Sequence, residues 1–278
     1  MATITTTNRI LGDTSAPFHR PFLQTWQADG INDYLFSHTG NISSFFWADK
    51  SFTLSFWVNW QTPGSVLPIR STALMAVKSP LPWSFTSFTG NANYRRFFAY
   101  YNADGVGLAT EAGGLFFIAF AFVKFVPGSR YHVVVTHPGS VNYAGTRIYV
   151  NRRNIPPNVS GPQSTDTSAS FTNECYFLGR DYSDLDFSGA KHADLMISSV
   201  VATPTEVAGL FNLATNDKAN YSAYYPARIM NARQLHLPLG DPSDFAVISS
   251  QLKTLDISGN NRHMDVIGQA TPTLQPFY

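Results

Sequence analysis

The sequence predicts an all-β chain, a two-sheet antiparallel jelly-roll sandwich with one short helix. Three observations carry this. Aromatic and aliphatic residues are abundant: 22 Phe, 13 Tyr and 5 Trp in a chain that is 44% hydrophobic and only 13% charged. So many rings require a buried core. Apolar residues alternate with polar ones over short stretches, the period of a half-buried strand. Between those stretches fall turn clusters such as Asp104-Gly105, Gly113-Gly114, Pro127-Gly128 and Pro138-Gly139-Ser140. Short strands with turns at near-regular spacing make a sandwich or jelly roll.

In chain order, residues 1–22 read as an extended arm, Thr-rich and running into Pro17 and Pro21, with no period for a helix or strand. Residues 23–278 form the jelly roll, with its core in 28–212 and a C-terminal segment, 213–278, completing or flanking the sheets. Residues 51–60 (SFTLSFWVNW) put Phe52, Leu54, Phe56, Val58 and Trp60 on one face. Thr53, Ser55 and Asn59 fall on the other face, interrupted by Trp57. Residues 94–101, 115–123, 130–136, 146–151 and 175–179 read as further strands. The helix is expected at 204–212: Thr203 is a good N-cap, Pro204 takes the first helical position and Glu206 the third. Val207, Leu210 and Phe211 supply its docking stripe. Two later strands, 234–239 and 263–267, flank a turn-rich stretch that begins at Asp256.

The ordered motifs resemble the concanavalin A-like, laminin-G-like jelly roll. Ala28-Asp-Gly-Ile-Asn-Asp-Tyr-Leu35 resembles the turn that feeds that family's first core strand. Trp57-Val58 fall on its Trp-Val pair, Arg130-Tyr-His-Val-Val-Val-Thr136 on its His-containing strand, and Thr146-Arg-Ile-Tyr-Val-Asn151 on its Tyr-Val-Asn strand. Phe177-Leu-Gly-Arg180, Phe187-Ser-Gly-Ala190, Asp194-Leu-Met-Ile197 and Pro204-Thr-Glu-Val207 resemble the closing strand and short helix. Arg152 departs from the pattern, standing where the family usually has a turn Gly. Leu255-Asp-Ile-Ser-Gly-Asn-Asn-Arg-His263 resembles a turn that in many relatives precedes the jelly roll; here it follows it. The resemblance implies the fold. The late turn is similar to jelly-roll proteins of phages and other viruses, structural or attachment proteins among them.

Residue chemistry narrows the function. A formal charge of +1 without a Lys/Arg block excludes a nucleic-acid binder that neutralises rows of phosphates. The longest apolar run, 115–123, is too short to span a bilayer. The single cysteine, Cys175, excludes a disulfide framework and reads as a small core residue. Sandwich glycosidases need carboxyl groups facing each other across a sugar, and the resemblance implies a Glu-x-Asp-x-x-Glu strand for them. The three glutamates, Glu111, Glu174 and Glu206, each stand alone, so no catalytic residues are assigned and no enzyme is expected. His132 reads as a packed core histidine and His137 as part of a turn.

No cofactor is expected. Asp181, Asp184 and Asp186 share a loop and are candidate calcium ligands, set against a plain solvated turn, since their spacing fits no defined calcium loop. The loop 83–96 carries Trp83, Tyr94, Arg95 and Arg96, candidates for a glycan site through ring stacking and hydrogen bonds, or for a subunit interface rich in aromatics and Arg.

These features make the expected function a non-enzymatic virion structural protein: a capsid-decorating, spike or tail-associated subunit, expected to form a homo-oligomer. Its partners would be other virion or capsid subunits, with host glycan attachment in addition. Neither nucleic-acid binding nor membrane insertion is expected. The opening Met-Ala-Thr-Ile lacks a secretory leader's basic and apolar regions, giving the expectation of synthesis in a host cytoplasm and residence in a virion. Ile4, Ile10, Leu11, Phe18 and Phe22 make the arm apolar enough to lie along a neighbouring subunit. The alternative is a carbohydrate-binding, lectin-like module, cellular or viral. A polysaccharide-active enzyme ranks third.

Overall fold

The computed structural model describes residues 25–38, 42–60, 71–79, 95–102, 104–112, 115–126, 128–160, 173–179, 189–212 and 225–275. The arm 1–22 therefore lies outside the described residues. Those described form two antiparallel sheets packed face to face, the expected jelly-roll sandwich.

The first sheet is built around β3 (Ser51–Trp60), whose neighbours are β8 (Arg130–Pro138) and β13 (Ala190–Ser198). Beyond β8 come β9 (Arg147–Val150) and β10 (Arg153–Ile155); beyond β13 come β1 (Thr25–Gln27) and β18 (Leu274–Gln275). β14 (Arg233–Leu237) also pairs with β13, further along it. The second sheet runs in the order β11 (Asn158–Ser160), β7 (Leu115–Phe122), β6 (Gly105–Ala112), β5 (Arg95–Asn102) and β4 (Ser71–Ser79). It continues with β12 (Asn173–Leu178), β2 (Tyr34–Ser37), β17 (Met264–Ile267), β16 (Gln251–Thr254) and β15 (Phe245–Ile248).

The alternation in 51–60 sets the core. Phe52, Leu54, Phe56 and Val58 point inward and are fully buried, meeting Leu74, Phe97, Tyr101, Val106 and Leu108 from the other sheet. Phe46 bridges the layers, with ring centroids 5.0 Å from Phe52 and 4.9 Å from Phe97 in tilted and edge-on contacts, the geometry that ring quadrupoles favour. His137 corrects the reading of a turn residue. It lies within β8, its ring 2.8 Å from both Thr146 Oγ1 and the Ala48 carbonyl. Being hydrogen-bonded at both nitrogens, it can sit in the core.

The opposite face of β3 is also covered. Helix α1 (Pro204–Asn212) docks there with a second short helix, α2 (Ala227–Asn231), which the sequence had not predicted. Val207, Leu210, Ile229 and Met230 pack on Val134, Tyr149 and Met196 of the sheet. This explains Trp57: it interrupts the polar face because it faces the helices, stacking on Phe211 at 5.5 Å. The expected cap is present. The Thr203 amide donates to Glu206 at 2.8 Å and the Glu206 amide donates back to Thr203 at 3.3 Å, while Arg228 of α2 donates to the same carboxylate.

Candidate functional site

The outer face of the second sheet carries a patch of rings over glycines. In β6, Val106 and Leu108 face the core, so Gly105 and Gly107 face outward. Strand pairing aligns Tyr100 with Gly107, Gly107 with Phe120, and Phe120 with Asn158 of the edge strand. One step along, Gly105 pairs with Phe122. The Tyr100 ring lies over Gly107, where an added Cβ would stand 2.4 Å from ring carbons; at Gly105 it would stand 2.1 Å from the Ala121 carbonyl oxygen and 2.7 Å from the Phe120 ring. Only residues without a side chain leave room for these rings. Tyr100 and Phe120 stack nearly parallel, with centroids 5.9 Å apart and planes at 24°. Phe122 meets Phe120 edge-on at 4.9 Å and 79°. Tyr100 is buried, Phe120 half-buried, and Phe122 63% exposed.

The margins of the patch are polar. Asp104, Lys124 and Asn158 are exposed. The Asp104 carbonyl accepts from the Val123 amide at 2.8 Å, which ties the β5–β6 turn to the end of β7 beside Phe122. An exposed ring with polar groups around it suits a ligand that has an apolar face and a hydroxyl rim.

A second cluster lies between the first sheet and the helices. Ser55 Oγ is 2.8 Å from His132 Nε2. At the bulge in β13, Asp194 accepts a hydrogen bond from the Tyr225 hydroxyl and lies 2.7 Å from His236 Nε2. Serine beside histidine is a nucleophile–base arrangement in principle. Here both residues are about 1% exposed, and burial lowers the His132 pKa to about 4, partly offset by Asp194. Both lie beneath the helix layer, and we read the pair as part of a polar seam that fixes how the helices dock.

The residues singled out in the sequence fall mostly elsewhere. Trp83 and Tyr94 lie outside the described residues. So do the aspartates 181, 184 and 186 and the apolar arm residues. Arg95 and Arg96 open β5, four or five positions before Tyr100, and their side chains are not among those described. No group of three or more His, Cys, Asp or Glu suited to a metal occurs among the described residues. The sequence reading missed the ring patch itself. Its signal was present in 115–123, where Ile118, Phe120 and Phe122 alternate with Ala119 and Ala121, and in Gly105-Val-Gly107.

No family model matches the chain, and no curated protein matches it. Among solved structures, a proposed carbohydrate-binding protein from Bacteroides ovatus is similar, at 16% identity and a TM-score of 0.54. That likeness covers 92% of this chain and 60% of that one, so the chain spans about three-fifths of its neighbour's length. The Ruminococcus gnavus sialidase module CBM40 bound to α2,3-sialyllactose follows at 12% identity and a TM-score of 0.43, covering 69% of this chain and all of that module. A tailspike protein of the Escherichia coli O157:H7 bacteriophage CAB120 has 14% identity and a TM-score of 0.41, covering 77% and 27%. Only the first likeness is close enough to bear on this chain, and it bears on the fold.

Proposed function

We propose that this chain is a non-catalytic carbohydrate-binding module, of concanavalin A-like or laminin-G-like type, that holds a sugar against Phe122 and Phe120. The observation that carries the reading is Phe122 itself: a ring 63% exposed on a sheet face, braced by a second ring and bordered by polar residues. Phe122 and the half-buried Phe120 adjoin, so the exposed ring is part of a two-ring apolar surface with a polar rim, the form in which a ligand site is built. The B. ovatus neighbour's proposed activity is in keeping with it. On this reading Asp104 and Asn158 accept or donate hydrogen bonds to hydroxyls at the ligand's rim. The test is a glycan array probed with the wild-type chain and with Phe122→Ala. Saturable binding that the variant loses supports the reading; the same binding by both, or none by either, contradicts it.

The virion-subunit role is the second reading. Its sequence support from the apolar arm lies outside the described residues. One described feature favours assembly: the edge strand β15 exposes Val247 by 69% and Ile248 by 36%, and an apolar edge invites pairing with another copy. Sedimentation should then show an oligomer that Val247→Lys weakens. A wild-type monomer at high concentration would remove this reading.

A further inference from the structure

We infer that the ring site takes a single sugar unit, at a chain end or on a branch of a soluble glycan, and not a run of units along a flat polysaccharide surface. This rests on the sugar-binding reading above and deepens it.

A flat polymer needs several exposed rings in one plane. The three rings here form a step. Tyr100 and Phe120 are within 24° of parallel, but Phe122 turns 79° from Phe120. Exposure breaks the row as well: Tyr100 is 4% exposed against 63% for Phe122, so the parallel member of the row is closed to a ligand. The step offers one ring face and one adjoining ring, which fits one unit wedged into a corner.

Position points the same way. Phe122 is the last residue of β7, and its partner Gly105 is the first residue of β6. The Val123 amide donates to the Asp104 carbonyl at 2.8 Å, which ties the start of β6 to the end of β7 at this point. The open ring therefore stands at the strand ends, beside a turn, and not along the middle of the sheet. A longer ligand would leave the rings after one unit, so further units would add little affinity.

The experiment uses the full chain and the best-bound glycan from the array. Calorimetry compares the methyl glycoside of its terminal sugar with the di- and trisaccharide, and sedimentation measures retention on microcrystalline cellulose and chitin. The methyl glycoside should bind within about tenfold of the trisaccharide, with Phe122→Ala weakening both and neither solid retaining the chain. A trisaccharide more than about a hundredfold tighter, or retention on either solid that Phe122→Ala abolishes, overturns the single-unit inference and leaves sugar binding standing. Failure of every glycan to bind overturns the sugar reading, and this inference with it.

Discussion

Phe122, Gly107 and Arg152 show how single residues divide between binding and stability. Phe122 packs against Phe120 but is mostly in water. Phe122→Ala should therefore shift the denaturation midpoint by no more than about 0.5 kcal/mol equivalent while removing sugar binding. Gly107 is the converse. A methyl group there strikes the Tyr100 ring at 2.4 Å, so Gly107→Ala must push the ring off the sheet. That overpacking should cost about 1–3 kcal/mol, measured by urea unfolding. Arg152 stands at a turn position that favours glycine, and its side chain shows why it is used. Asn151 and Arg152 have φ of 48° and 69°, a two-residue hairpin turn in which glycine is favoured. The Arg152 guanidinium lies 4.8 Å over the Phe211 ring, a cation–π contact with α1. Arg152→Ala loses the contact and keeps the strained backbone; Arg152→Gly loses the contact and removes the strain. The glycine variant should be the more stable of the two by about 1 kcal/mol, and equal stabilities would contradict this account of the turn.

At the scale of elements, local signals were legible where a segment carries its own stop and start. Helix α1 was readable because Thr203, Pro204 and Glu206 write its N-terminus, and the same residues make the cap. Thr203→Ala should destabilise the chain by about 1 kcal/mol, seen as a lowered thermal midpoint. Helix α2 was not readable. Its N-cap position is Pro226, with no side-chain cap, and five residues are too few to hold a helix alone. It exists because Ile229 and Met230 are buried against the sheet. Strand β6 was hidden for a related reason. Gly105 and Gly107 lower strand propensity, and what compensates is the pair of rings supplied by β5 and β7, which no local window contains. The ring patch was missed with it. The sequence reading sought stacking rings in the loop 83–96, whereas the patch needs cross-strand register to assemble.

Across the whole molecule, the polar face of β3 bearing Thr53, Ser55 and Asn59 proves as buried as the apolar one. The polar residues there serve the docking of the helices, so a period-2 pattern located the core but could not show the added layer. Buried histidines, His132 under the helices and His137 and His192 between the sheets, make stability depend on pH. Burial lowers His132 to about 4 and His192 to about 3, and lowers His137 as well. An unfolded histidine protonates near 6.5, so below that pH the unfolded state binds more protons and stability falls as pH falls towards the folded values. Glu206, held to about 2 mainly by its hydrogen bond from Arg228, acts in the same direction below its unfolded value. Asp33, raised by burial, opposes this near pH 4, one group against four. The urea midpoint should accordingly be clearly lower at pH 4.5 than at pH 7.5. An unchanged midpoint would mean that the histidines are not buried as described.

The most direct test of the central claim is to locate the sugar on the protein. Phenylalanine ring protons can be followed by NMR while the full chain is titrated with its best-bound glycan. The account predicts saturable shifts for Phe122 and Phe120 that disappear in Phe122→Ala. Saturable shifts confined to the loop 83–96, with Phe120 and Phe122 unmoved, would contradict it.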